Sequence, residues 1–247
     1  MIELPTRPSF DLKVCWVIAL EPEARPIIDE LDLRRYANKL NFPVYFNPEN
    51  GHALVISGIG PAKAAAAATC LKMLLNVESY VGWINLGIAG FYSQPIGKLY
   101  QAIKVYDTAG KKSYFPGVRL SKILKCQTLH TVSQPEMAYL ETVLFDMEAS
   151  GFCEMAPTFS CNELVFVLKI VSDTPDHPVR LVSKETISQL IYQNMEKLKE
   201  IILVIEKLVK EEKKRLFISE EVFRYFDTFH FTQSNRHRFL QVYRKWK

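Results

Sequence analysis

The sequence has little cysteine, little glycine, no long apolar run and no large excess of one charge. Its five cysteines (Cys15, Cys70, Cys126, Cys153, Cys161) are odd in number and none forms a C-x-x-C pair. That argues against a disulfide framework and against a zinc site; reduced, partly buried thiols are expected. Ten glycines and thirteen prolines in 247 residues exclude a collagen-like chain. No stretch approaches the roughly 18 apolar residues of a membrane helix; Val165–Val171 is interrupted by Lys169. Met1–Lys13 lacks the basic-then-apolar order of a signal peptide, so a cytoplasmic protein without a membrane partner is expected. Lys and Arg number 31 against 27 Asp and Glu, a net charge of +4. From Arg215 onward seven bases stand against three acids, so residues 1–214 are formally neutral and give no electrostatic reason to bind nucleic acid.

What is present is a globular composition, 48% hydrophobic and 23% charged, enough to bury a substantial core. Val14–Leu20 reads as a buried strand, followed by a helical stretch through about Leu40. Ala53–Ser57 reads as a second strand. Gly58-Ile59-Gly60-Pro61 then turns the chain into a helix over Ala62–Leu75, with Pro61 at its first position. Tyr80–Leu86 is a third strand, closed by Gly87-Ile88-Ala89-Gly90. This alternation argues for a parallel sheet with helices on its faces. Strands are further expected at Leu99–Tyr106, Ile123–Thr131, Thr142–Asp146 and Leu164–Val171. One long amphipathic helix is expected from about Ser183 to Lys214. The tail, 215–247, mixes aromatics with bases. Ser234 is the candidate cap of a last helix in which Phe239, Tyr243 and Trp246 share a face.

Four strands end in chemically notable residues: Glu21 and Glu23, Gly87–Gly90, Met147-Glu148, and Asp173. Ligands of open parallel sheets bind beyond the carboxyl ends of the strands, so these carboxylates would converge on one rim. Glu148 lies in the apolar run Val143–Ala149, and a buried carboxylate is costly unless it is paired or hydrogen-bonded. Accepting two hydroxyl protons from a sugar diol would use it well. The dinucleotide fingerprint is not met, because Lys63 stands where its third glycine belongs.

The ordered set V-I-A-L-E-P-E (17–23), S-G-I-G (57–60), I-N-L-G-I-A-G (84–90), D-M-E-A (146–149) and V-S-D (171–173) resembles the nucleoside phosphorylase/nucleosidase superfamily. The likeness covers roughly residues 13–210 and is closest to the methylthioadenosine/S-adenosylhomocysteine nucleosidases, with futalosine nucleosidase beside them. It implies an α/β fold: a single domain with a central mixed, largely parallel sheet flanked by helices (1–214), plus a C-terminal helical extension (215–247). It implies that Glu23 positions and deprotonates the attacking water, and that Asp173 protonates the purine so that the base can leave. Met147 would pack on the sugar and Glu148 would hold the ribose hydroxyls. Ile59, Ala89, Gly90 and Ser172 match pocket-lining positions, and Lys169 falls where these nucleosidases have an arginine in a supporting network. A small-molecule nucleoside as ligand, a homodimer, no metal and no cofactor go with it. The segment between Gly90 and Met147 is shorter than in the family, and Phe115, His130 and Tyr139 are the candidates there to stack on the base.

The chemistry agrees with these residue types. Breaking an N-glycosidic bond develops positive charge on the sugar and negative charge on the base. One carboxyl at the base and one near the water answer both changes, as in ordinary glycoside hydrolysis. A phosphorylase would need arginines for a phosphate dianion. Asn85 occupies the place of one such arginine, Ile88 replaces a hydroxyl residue, and Glu23 would repel phosphate. Hydrolysis of a 5′-modified purine nucleoside is therefore the expected activity. A phosphorylase or a non-catalytic nucleoside-binding protein of the same fold are the alternatives.

Overall fold

The computed structural model describes residues 11–36, 41–92, 95–120, 122–139 and 141–246, with side chains through Tyr243. The chain runs through β1 (Val14–Ile18), α1 (Glu21–Glu30), β2 (Arg34–Tyr36), β3 (Val44–Asn47), β4 (His52–Ile56), α2 (Pro61–Leu75) and β5 (Gly82–Phe91). It continues through β6 (Leu99–Asp107), β7 (Lys112–Tyr114), β8 (Lys125–Thr131), β9 (Leu144–Asp146), α3 (Ala149–Phe159) and β10 (Val165–Asp173). Four helices follow: α4 (Lys184–Gln193), α5 (Met195–Leu216), α6 (Glu220–Thr228) and α7 (Gln233–Trp246).

All ten strands join one sheet in the order β10-β6-β8-β9-β5-β1-β4-β3-β2, with β7 on β6 and a further pairing of β10 with β5. That last pairing closes β10, β6, β8, β9 and β5 into a ring. Among the described residues five of the ten pairings are parallel and five antiparallel: the sheet is mixed, with its parallel pairings in the runs β4-β1-β5-β10 and β6-β8-β9. The parallel block β4-β1-β5-β10 is the part the apolar, β-branched runs foretell. One core lies between the sheet and α2 with α3, built on Val17, Val55, Leu71, Trp83 and Phe152. A second lies under α1, α4 and α5, built on Trp16, Ile84, Phe166, Leu198 and Ile205.

Several boundaries depart from the sequence reading. The first helix stops at Glu30 rather than near Leu40. Asp32 takes a left-handed φ of 45°, which turns the chain into the exposed strand β2; residues 37–40 lie outside those described. Within α1, Pro26 has no N–H for the carbonyl of Pro22. The Ser188 hydroxyl of α4 donates to that carbonyl instead, at 2.8 Å. β5 does not close at Gly87. It is laddered to β10 and β9 as far as Phe91, and pairing on both sides overrides the glycines. The long C-terminal helix is two helices, broken at Asn194, whose φ of −97° and ψ of 3° leave the helical region. Its side-chain amide donates to Leu190 O and across to Gly97 O, 2.9 Å each. The last helix is capped by Thr232, not Ser234: the Asn235 N–H donates to its hydroxyl and the Arg236 N–H to its carbonyl. Phe239 and Tyr243 do stack on one face; the Trp246 side chain lies outside the described residues. Among the described residues no helix is long and apolar enough to cross a membrane.

Candidate active site

A cavity of about 180 Å³ opens at the carboxyl ends of β1, β5 and β10. Glu23, Ile59, Ala89, Gly90, Met147, Glu148, Ser172 and Asp173 all line it, so eight of the nine residues singled out from the sequence meet there. The ninth, Lys169, is 1% exposed and sits behind the wall, where it supports the carboxylates.

Glu23 is the third residue of α1. Its Oε2 accepts the N–H of Leu20 just before the helix (2.8 Å), and its Oε1 accepts the N–H of Ile88 on β5 (2.9 Å). Gly87 makes the second contact possible: a Cβ there would lie 3.0 Å from Oε1. Burial pushes the Glu23 carboxyl above the usual glutamate range, against the opposing pull of the Ile88 N–H and Lys169.

Glu148 stands at the head of α3. Its Oε1 accepts the N–H of Gly60 at the start of α2 (2.9 Å), where the helix dipole favours a negative charge. Burial, and then the Asp146 charge, still push its carboxyl up to about 7.

Asp146, on β9, answers Lys169. Its Oδ2 lies 2.8 Å from Nζ and accepts the Ala149 N–H (2.9 Å), while Oδ1 accepts the Thr131 hydroxyl (2.8 Å). Both side chains of this ion pair are buried and hydrogen-bonded, the condition under which a buried pair is tolerated. Burial acts to lower the Lys169 ammonium, but Asp146 and Glu148 outweigh it and hold it above the ordinary lysine value.

Asp173 ends β10. The register with β5 shifts between Val171 and Asp173, a bulge that breaks the strict alternation of a strand. Consecutive Ser172 and Asp173 both reach the cavity as a result. The Ser172 hydroxyl donates to Asp173 Oδ1, and the Tyr139 hydroxyl donates to Oδ2.

The three aromatic candidates for the base behave differently. Phe115 lies beside a separate small cavity with Tyr114, Cys153 and Asn162. His130 packs between Tyr106 and Phe145. Tyr139 is buried behind the wall and binds Asp173. The aromatic ring that does face the cavity is Phe145, with Val132, Pro135 and Glu136 of the β8–β9 loop beside it. Phe145 immediately precedes D-M-E-A, so its strand position could have disclosed it; the loop residues carry no sequence signal. Asn85 does not line the cavity; its amide donates to Val17 O at 3.0 Å. Ile88 does line it. Among the described residues no lysine or arginine belongs to the lining.

No protein-family model and no curated protein matches the chain. Solved structures do. The 5′-methylthioadenosine nucleosidase of Arabidopsis thaliana superposes with a TM-score of 0.67 at 18% identity, over 79% of this chain and 96% of that one. The 5′-methylthioadenosine/S-adenosylhomocysteine nucleosidase of Helicobacter pylori gives 0.64 at 14%, over 78% and 99%. Futalosine hydrolase of the same organism gives 0.63 at 14%, over 78% and 97%. With its strand ring and the cavity beyond the strand ends, the chain therefore has the nucleoside phosphorylase/nucleosidase fold.

Proposed function

We propose that the protein hydrolyses the N-glycosidic bond of a purine nucleoside carrying a modified 5′ position. The observation that carries this reading is the meeting of Glu23, Glu148 and Asp173, from three distant segments, around one cavity. Glu23, with both oxygens fixed by backbone N–H groups and its basicity raised by burial, takes a proton from the attacking water. Asp173 gives a proton to the departing base. Glu148 accepts the ribose hydroxyls, with Met147 packed against the sugar. Lys169 and Asp146 hold this acidic group together from behind. Water is favoured over phosphate as nucleophile because the described lining brings carboxylates and no cation to the nucleophile's side. Arg25, two residues after Glu23, is half-exposed and paired with Glu21 and Asp29 on its own helix.

The test is incubation with methylthioadenosine, S-adenosylhomocysteine, futalosine and inosine, with and without phosphate, while following free base. Release independent of phosphate is expected. A sugar 1-phosphate product would make the protein a phosphorylase, and tight binding without release a nucleoside-binding protein. Asp173→Asn and Glu23→Gln should each slow release by roughly 10²–10⁴-fold, the range for a lost proton-transfer group. Near-normal turnover in either would remove that residue from the chemistry.

A further inference from the structure

We propose that Tyr139 is a positioning residue that holds the Asp173 carboxyl in the orientation from which it protonates the leaving base; this rests on the nucleosidase reading. A carboxyl rotates with little restraint about its last bond, and Ser172 holds only Oδ1. The Tyr139 hydroxyl holds Oδ2. The ring reaches that oxygen from behind, 1% exposed and absent from the cavity lining, so the cavity side stays open to the base. It packs edge-on against Phe145, with centroids 6.2 Å apart. It also fills the space beside Gly90, where a Cβ would stand 2.9 Å from Tyr139 Cε1 and 2.6 Å from Asp173 Oδ2.

The backbone is built to keep the ring there. Tyr139 has φ of 47°, a left-handed conformation that costs a bulky residue on the order of 1–3 kcal/mol. Glu136 offsets that strain: its Oε1 accepts the N–H groups of Met137, Ala138 and Tyr139 at 3.0, 2.7 and 3.2 Å.

The proton balance assigns the phenol no transfer of its own. Asp173 gives its proton to the base, the electrons of the C–N bond go with the base, and water adds to the sugar carbon as Glu23 takes its proton. Burial and the Asp173 contact hold the Tyr139 hydroxyl above the ordinary tyrosine range, so it remains a donor throughout. Both hydrogen bonds to Asp173 strengthen as the carboxyl becomes a carboxylate. Their effect therefore falls on the transition state more than on bound substrate.

Tyr139→Phe should lower kcat on the nucleoside the wild type cleaves by about 10–100-fold, the scale of a misplaced catalytic group, with KM within about twofold. In an Asp173→Asn background the same change should slow single-turnover release by less than about twofold, since it acts through the acid. Equal losses in both backgrounds, no loss, or a rise in KM at unchanged kcat would overturn the assignment. If the Asp173→Asn background is too slow to measure, the kcat–KM split decides. Should Tyr139→Phe not fold, as judged by circular dichroism, Glu136→Gln loosens the same turn while keeping the hydroxyl and should lower kcat by a smaller factor; because Glu136 also lines the cavity, only kcat is compared, and an unchanged kcat would overturn the assignment. A wild type that cleaves no nucleoside defeats the nucleosidase reading and this proposal together; an active wild type without the split defeats only the proposal.

Discussion

Glu148 holds a proton at a pH where glutamate ordinarily has none, because burial and Asp146 outweigh Lys169 and the Gly60 N–H. Its carboxyl, pushed up to about 7, stands above the ordinary glutamate value of 4.5. Between those two values the folded chain binds more protons than the unfolded one. The stabilisation is therefore complete below about 4.5 and is lost as pH rises toward 7, a loss on the order of 3 kcal/mol. Urea unfolding at pH 5 and pH 8 should show the wild type losing stability on alkalinisation and Glu148→Gln losing less. Equal losses would mean that the carboxyl ionises freely in the folded protein. Glu23 is shifted the same way, so the Gln variant should reduce the pH effect rather than abolish it.

At the scale of elements, α2 and α3 jointly aim Glu148, and their contact depends on Gly151. A Cβ there would lie 1.8 Å from the carbonyl oxygen of Pro61, a backbone atom that cannot swing aside. Gly151→Ala should destabilise the fold by about 1–3 kcal/mol, the cost of forced overpacking. It should also weaken nucleoside binding, because α2 carries the Gly60 N–H that holds Glu148. Calorimetric unfolding and a nucleoside titration check the two parts separately. The elements also show what the sequence could disclose. Strands buried on both faces announce themselves as apolar runs, and the carboxylates at their ends were legible for the same reason: polarity begins abruptly where the apolar run stops. Strand β2, Arg34-Arg35-Tyr36, was not legible, since it is largely exposed and carries no apolar pattern. The break at Asn194 was hidden because Ile191 and Met195 on its two sides face the same core, so the helical spacing continues across it. The sequence offers Tyr139 only as a candidate to stack on the base, and its bond to Asp173 is not legible there. Tyr139 lies in an irregular loop, and only tertiary structure brings its hydroxyl to Asp173, 34 residues away in sequence.

At the scale of the whole molecule, α6 and α7 form a hairpin with an aromatic centre of its own. Phe226 meets both Phe231 and Phe239 edge-on, and Arg236 lies over the Phe226 ring. We expect a chain ending at Leu216, where α5 ends, to unfold cooperatively and to keep base release within about threefold. Loss of either would show that residues 217–247 belong to the core domain rather than forming an extension. Salt-sensitive binding of the full chain to nucleic acid, lost on truncation, would instead make the basic, aromatic tail a nucleic-acid-binding element.

The ring of strands has a consequence for handling the protein in concentrated solution. An open sheet offers two unsatisfied margins on which another chain can add a strand. Here β10 turns back onto β5, so that margin is consumed internally, and what is left among the described strands is short: β2 at one extremity and β7 on the flank of β6. Both are three residues long and carry cationic side chains, Arg34 and Arg35 on one and Lys112 on the other. Such stubs are poor templates for fibril growth, and the charge that guards them is the kind that stays ionised at any pH the cell supplies.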